Sequence, residues 1–325
     1  MKEKEKNAKV ITFVNMKGGV AKTTLSINVA QELSKESRVL VIDMDPQFNA
    51  TQSLLFYRES KKSESDFNLL DLAEGTENPS KTDILAEEEF NLDVKTAHFY
   101  QSLSTSGKTA HSIFCTTNLN KYESVEELFI DISDNLFLFA GDLELINDLS
   151  GDTSNKFSSV KRFFIKYDVK KKFDYIIIDC SPTWSVLTTT SLRASDYYII
   201  PSKVDNYSSI GISLLSRKIK ECVTEEPDYM ENPNNSLHCL GIIFTLATEL
   251  KTENTLKDNL SIKYCNDLQL KTFDSYLPFI PSASSKFLLI DQVAENSKYE
   301  KLVNAIKKIT DEIKCNIMDI ENRKK

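Results

Sequence analysis

The stretch Asn15-Met16-Lys17-Gly18-Gly19-Val20-Ala21-Lys22-Thr23-Thr24 follows a short β-branched run, Lys9 to Val14, and precedes a segment whose Leu25, Val29 and Leu33 fall on one helical face. Strand, glycine loop, Lys-Thr and helix, in that order, are the context that a phosphate cradle requires. Glycines let the backbone curl until successive N–H groups converge on phosphate oxygens, and the start of the helix adds a partial positive charge. Here Lys22 is placed to neutralise the β- and γ-phosphates of a nucleotide, and the Thr23 hydroxyl to ligate Mg2+. The expected nucleotide-binding loop is Lys17, Gly18, Gly19, Val20, Ala21, Lys22, Thr23 and Thr24. The strict pattern has glycine before the lysine, whereas Ala21 stands there in this chain. The additional Lys17 makes the stretch K-G-G-x-x-K-[ST], the deviant form of the Walker A motif.

Outward from that loop, short β-branched runs recur, each followed by a longer stretch with helical periodicity. That alternation predicts an α/β fold, a mostly parallel twisted sheet with helices on both faces. Strands are expected at Lys9 to Val14, Arg38 to Ile42, Asn135 to Phe139, Tyr175 to Asp179, Tyr197 to Pro201, Leu240 to Phe244 and Thr272 to Leu277. In such sheets ligands gather at the carboxyl ends of the strands. Two of those ends are acidic. Tyr175-Ile176-Ile177-Ile178-Asp179 is a buried apolar run closed by one carboxylate, the physical form of a Walker B site in which a rigid strand holds an acid beside a metal-bound water. The second strand runs into Asp43-Met44-Asp45-Pro46-Gln47-Phe48-Asn49-Ala50-Thr51.

With these blocks the chain resembles the ParA/MinD superfamily of deviant Walker A P-loop ATPases, and within it the ParA/Soj branch. The block from Asp43 to Thr51 is similar to that branch's D-x-D-P-Q-G-N-A-T, with Phe48 in place of glycine. Leu192-Arg193-Ala194-Ser195-Asp196-Tyr197-Tyr198-Ile199-Ile200-Pro201 resembles a further block that consists mostly of packing positions. Cys180-Ser181-Pro182 departs from the usual pair of prolines after the Walker B acid. The resemblance implies that Asp45 orients the attacking water, that Asp43 lies toward the Mg2+ shell with Thr23 and Asp179, and that Pro278 lies at the adenine. It also implies that Lys17 reaches across a nucleotide-sandwich homodimer to the partner's ATP, so that Lys17, Lys22 and Asp45 form the catalytic set. Leu277-Pro278-Phe279 lacks the arginine that the family often carries there.

Bulk properties bound the role. The net charge of −8 is concentrated between Glu59 and Asp93, where 11 acidic residues face 3 basic ones, leaving 37 of each sign elsewhere. A local basic face is therefore compatible with the sequence. The stretch from about Tyr57 to Lys108 breaks the α/β rhythm and is expected as an acidic insertion, helical or partly mobile, within one domain spanning 1–325. Residues Ser297 to Lys325 place Leu302, Ile306, Ile309, Ile313, Ile317 and Ile320 at spacings of three and four, one apolar stripe on a terminal helix. Six scattered cysteines with no C-x-x-C pair predict free thiols and a reducing compartment. With no apolar run near the roughly 18 to 20 residues a span requires, and only about eight residues before the first strand, a cytoplasmic protein without an N-terminal helix-turn-helix is expected.

Three roles follow. The favoured one is an ATP hydrolase that partitions plasmids or chromosomes, binding nonspecific DNA as an ATP dimer and releasing it when a centromere-binding ParB-like protein stimulates hydrolysis. Candidate DNA contacts are Lys251, Lys257, Lys263, Lys271 and Lys286. The second is a MinD-like membrane-cycling ATPase, which needs a basic amphipathic terminal helix; the mixed charge of this one argues against a membrane partner. The third is an ATP-switched regulator that recruits a protein through the acidic insertion without binding DNA.

Overall fold

The chain forms strands β1 (Lys9–Phe13), β2 (Val39–Met44), β3 (Ile130–Ser133), β4 (Leu136–Phe139), β5 (Tyr175–Cys180), β6 (Tyr197–Lys203), β7 (His238–Ala247) and β8 (Leu277–Pro278). They make one sheet in the order β3-β4-β2-β5-β1-β6-β7-β8. This computed structural model describes residues 7–62, 79–115, 121–150, 153–231, 237–248, 250–280 and 289–324. Every neighbouring pair is parallel except β3 with β4. Parallel neighbours need crossovers. The principal helices are α1 (Lys22–Ser34), α2 (Asn49–Lys62), α3 (Pro79–Ser106), α4 (Ser159–Lys166), α5 (Val186–Ala194), α6 (Ser208–Ile219), α7 (Lys251–Leu268) and α8 (Glu300–Arg323).

The sheet is buried on both faces, as continuous apolar strands require. Side chains alternate across it: Ile11 and Phe13 join Val41, Ile177 and Ile199 on one side, while Val10 joins Leu40, Ile42, Ile176 and Ile178 on the other. The first side is covered by α1, α2 and α8. The terminal stripe read from the sequence lies there: Leu302, Ile306, Ile309, Ile313 and Ile317 are buried, with Ile320 packed partly against the same core. Burying the stripe on α1 and the sheet leaves α8 no apolar face for a bilayer. Among the described residues no helix is long and apolar enough to cross a membrane.

One expectation about the sheet needs correction, and one strand was not expected. The strand expected at Thr272 to Leu277 is reduced to an isolated bridge at Thr272 and the two-residue β8. The reason is competition for backbone donors, since the N–H groups of Asp274 and Ser275 donate to the Glu312 carboxylate of α8 at 2.9 and 3.0 Å. The sequence also gave no sign of β3, a four-residue antiparallel edge strand too short to show a period. Within the stretch expected as an insertion, α2 continues to Lys62 and α3 occupies Pro79–Ser106, with Leu92, Thr96 and Leu103 buried. Its apolar cluster Asn68 to Leu72 lies outside the described residues. All six cysteines are free.

Candidate nucleotide site

The loop after β1 is pinned before it reaches α1. Asn15 donates through Nδ2 to the Pro201 carbonyl at 2.6 Å, and its Oδ1 accepts the Lys17 N–H at 2.9 Å. The Thr245 hydroxyl of β7 donates to the Val20 carbonyl at 2.9 Å. The loop is thus fastened to two neighbouring strands and its amides are held in place. Gly19 has φ +66, a left-handed conformation that glycine adopts freely. Ala21, at the head of α1, has φ 55 and ψ 32, so the position where the strict motif has glycine is left-handed here too. A Cβ in that region costs about 1–2 kcal/mol.

A cavity of about 340 Å³ opens at the carboxyl ends of the strands. Its polar end is made by Gly18 to Thr24, Asp45, Gln47 and Asn49, and its apolar wall by Pro182, Leu246, Leu277, Pro278, Phe279, Ile280 and Leu302. The expected residues Gly18, Gly19, Val20, Ala21, Lys22, Thr23, Thr24, Asp45 and Pro278 therefore share one pocket. Gln47 and Asn49 stand in a block already quoted from the sequence and Ile280 follows Leu277-Pro278-Phe279, but Leu246 carried no signal and Leu302 was marked only as part of the packing stripe. Phe279, 46% exposed, occupies the place of the absent arginine.

Beneath the cavity the Thr23 hydroxyl donates to Asp179 Oδ2 at 2.6 Å. Asp179 is fully buried, and its other oxygen has no hydrogen-bond partner. Burial pushes its pKa up, against the pull of Lys22 and Thr23, with Asp45 adding to the rise. A buried acid with one free oxygen beside a threonine hydroxyl fits an Mg2+ shell. Among the described residues there is no cluster of three or more metal-binding side chains. That donor set suits a cation held mainly by phosphates and water.

Asp43, in register with Asp179 on the adjacent strand, has both carboxylate oxygens engaged within its own turn. Its Oδ1 accepts the Asp45 N–H at 3.1 Å, and its Oδ2 accepts both the N–H and the hydroxyl of Thr51 at 2.8 Å. Burial and the nearby Asp179 carboxylate push its pKa up to about 7, although these hydrogen bonds pull it down. The carboxylate ties the turn after β2 together, and within that turn Asp45 Oδ1 accepts the Gln47 N–H at 3.0 Å. Lys17 lies outside the cavity: its Nζ pairs with Asp205 of its own chain at 2.6 Å and approaches the Ser208 hydroxyl at 3.4 Å.

The AAA domain family model matches residues 8–232, more than two thirds of the chain and all of the elements just described from β1 to β6. The chain belongs to that family, within the ParA/MinD superfamily. It is 29% identical over 213 residues to the sporulation initiation inhibitor protein Soj of Bacillus subtilis, covering 65% of either chain. It is 27% identical over 307 residues to the chromosome-partitioning ATPase Soj of Treponema pallidum, covering 92% of this chain and 96% of that one. The fold is similar to a crystal structure of a plasmid partition protein from Borrelia burgdorferi bound to AMPPNP. That likeness has a TM-score of 0.61 at 22% identity and covers 97% of this chain and 99% of the other. Of the residues in the two quoted motifs, Gly18, Gly19, Lys22, Thr23, Asp45, Gln47 and Asn49 line the cavity, while Ala21, where the strict Walker pattern has glycine, and Phe48, where the ParA/Soj block has it, both fall at left-handed backbone, Phe48 with φ 43.

Three of the lysines expected at DNA are engaged within the fold: Lys257 over the Tyr276 ring, Lys263 on the Ser209 hydroxyl and Lys271 on Asn316. Lys286 lies outside the described residues. A denser basic stretch escaped the sequence reading. From Lys156 to Lys172, around α4, seven basic residues stand against one acidic residue, although Lys156, Lys170, Lys171 and Lys172 pair with Asp148, Asp196, Asp168 and Glu126.

Proposed function

We propose that this chain is an ATP hydrolase of the ParA type that partitions DNA by a nucleotide-switched dimer. The observation that carries this reading is the single cavity in which the Gly18 to Thr24 loop, Asp45 and Pro278 meet above the Thr23–Asp179 hydrogen bond. The fold relative from Borrelia holds AMPPNP, and the Treponema relative is a partitioning ATPase. A triphosphate of the same class suits a pocket with a polar loop at one end and an apolar wall at the other.

In this mechanism the loop amides and Lys22 hold the phosphates, and the wall around Pro278 and Phe279 receives the base. Mg2+, when bound, offsets charge developing on the phosphoryl oxygens, and Thr23 and Asp179 hold it or its waters. Asp45 orients the attacking water. Asp43 serves as the knot of the turn that presents Asp45, a modification of the metal-shell role that the resemblance implied. Lys17 leaves Asp205 and crosses to the partner's nucleotide. The pair it leaves is partly exposed, and pairs open to solvent contribute only about 0.2–1 kcal/mol, so a dimer contact can replace it.

Nonspecific duplex DNA and a ParB-like stimulating protein are the proposed partners. Titration of labelled duplex of arbitrary sequence, with ATP and with ADP, over a salt series tests this. Binding is expected with ATP only, weakening linearly in log affinity against log salt. Absence of ATP-dependent binding at every salt concentration would remove DNA and leave a protein-recruiting switch.

A further inference from the structure

Phe48 occupies a position that its backbone makes costly. With φ 43 it is left-handed, a region in which a bulky side chain is an outlier. Its ring stacks on Tyr100 of α3, with centroids 4.8 Å apart and planes within 10°. Such stacking adds to the burial of the ring and opposes the strain. The surroundings are built to receive the pair. A Cβ on Gly141 would lie 2.9 Å from Phe48 Cβ and 3.0 Å from Asp43 Cγ, so only glycine allows the end of β4 to close over the turn. The Gly141 N–H donates to the Thr51 hydroxyl at 2.7 Å, and Thr51 holds Asp43. On the other side, the Phe48 N–H donates to the Asp45 carbonyl at 2.8 Å.

The helix carrying Tyr100 is itself anchored. Leu103 is buried in the core, and Phe99 lies under the Arg58 guanidinium at 4.3 Å. A continuous path of contacts therefore joins α3 to Asp45, the residue that the proposed function assigns to the water.

We propose that Phe48 and Tyr100 are positioning residues for ATP hydrolysis, the stacked pair fixing the Asp45 turn so that α3 sets the turnover rate. This rests on the proposed function. Tyr100→Ala removes the ring and Tyr100→Phe keeps it; Tyr100→Leu keeps apolar bulk without stacking, in case the alanine variant fails to fold. Steady-state ATPase assays, AMPPNP titration and amide hydrogen exchange of the peptide covering residues 43–52 are compared across the three and the parent.

The Ala and Leu variants are expected to lose roughly 10- to 100-fold in kcat, the scale of a displaced catalytic group. KM and AMPPNP affinity should stay within about twofold, because the phosphate loop is untouched. Exchange at Phe48 and Gln52 should rise, and Tyr100→Phe, which keeps the ring and loses only the hydroxyl's 3.4 Å contact with the Gly141 carbonyl, should stay within about twofold of the parent in kcat. Unchanged kcat and exchange in Tyr100→Ala or Tyr100→Leu would overturn the proposal, as would equal loss in Tyr100→Phe. A parent that binds AMPPNP without hydrolysing ATP would overturn the ATPase reading instead, and the exchange arm would still decide whether the stack holds the turn.

Discussion

Ala21 and Lys22 show how neighbouring residues in one motif answer to different physics. Ala21 is a backbone problem: a Cβ at φ 55 costs about 1–2 kcal/mol, while glycine would give back about 0.4–1 kcal/mol through a freer unfolded chain. Ala21→Gly should therefore raise stability by about 0.5–1 kcal/mol, read as a higher urea midpoint without nucleotide, and a lower midpoint would contradict the strain. Lys22 is a charge problem. It lines the cavity floor beside Asp179, and a charge-assisted contact to phosphate is worth about 1.5–3 kcal/mol. Lys22→Ala should weaken ATP binding in calorimetry by roughly 10- to 100-fold or more. Parent-like affinity would place the phosphates elsewhere.

Among the elements, α8 is the one whose sequence and packing agree most closely. Ile309 is fully buried between α1 and the sheet, so Ile309→Ala should cost about 2–5 kcal/mol in chemical denaturation. A loss under about 0.5 kcal/mol would mean that the helix docks loosely. A second element-level contact is sensitive to pH. His111, in the short 3-10 helix Ala110–Ile113, lies 2.9 Å from Asp148 in the 3-10 helix Leu143–Leu149, and this hydrogen bond pushes the imidazole pKa above its usual range despite partial burial. A raised folded pKa means stability that is complete below the unfolded value of about 6.5 and is lost as pH rises through the folded value. The melting-temperature advantage of the parent over His111→Gln should therefore shrink from about pH 6 to about pH 9. A constant difference would show that the contact does not depend on the proton.

For the molecule as a whole, the chain presents Lys17 on the outside of its own cavity, paired to Asp205, and the proposed function has it complete the site of a second copy. In size-exclusion chromatography with ATP and Mg2+, Asp45→Ala should accumulate as dimer while keeping nucleotide affinity, because the water loses its guide and the phosphates keep their holders. Lys17→Ala should bind ATP as a monomer and fail to dimerise. Equal dimer formation by Lys17→Ala and the parent would refute the cross-subunit reach.

The sequence by itself determined the class of fold and the chemistry of the loop. Continuous β-branched runs bury on both faces, an apolar stripe at spacings of three and four must dock, and a glycine-rich turn between strand and helix converges its amides whatever surrounds it. Those are local properties, and β1, α1, β5 and α8 express them within a few residues of the expected bounds. Only the tertiary structure decided the rest. The Asp43 carboxylate took its orientation from Thr51, the strand near Thr272 yielded its donors to Glu312, and Leu302 entered the cavity wall from the far end of the chain. The seat of Phe48 against Tyr100 depends on where α3 lies, and contacts between residues so distant in sequence are fixed by packing, which no local pattern encodes.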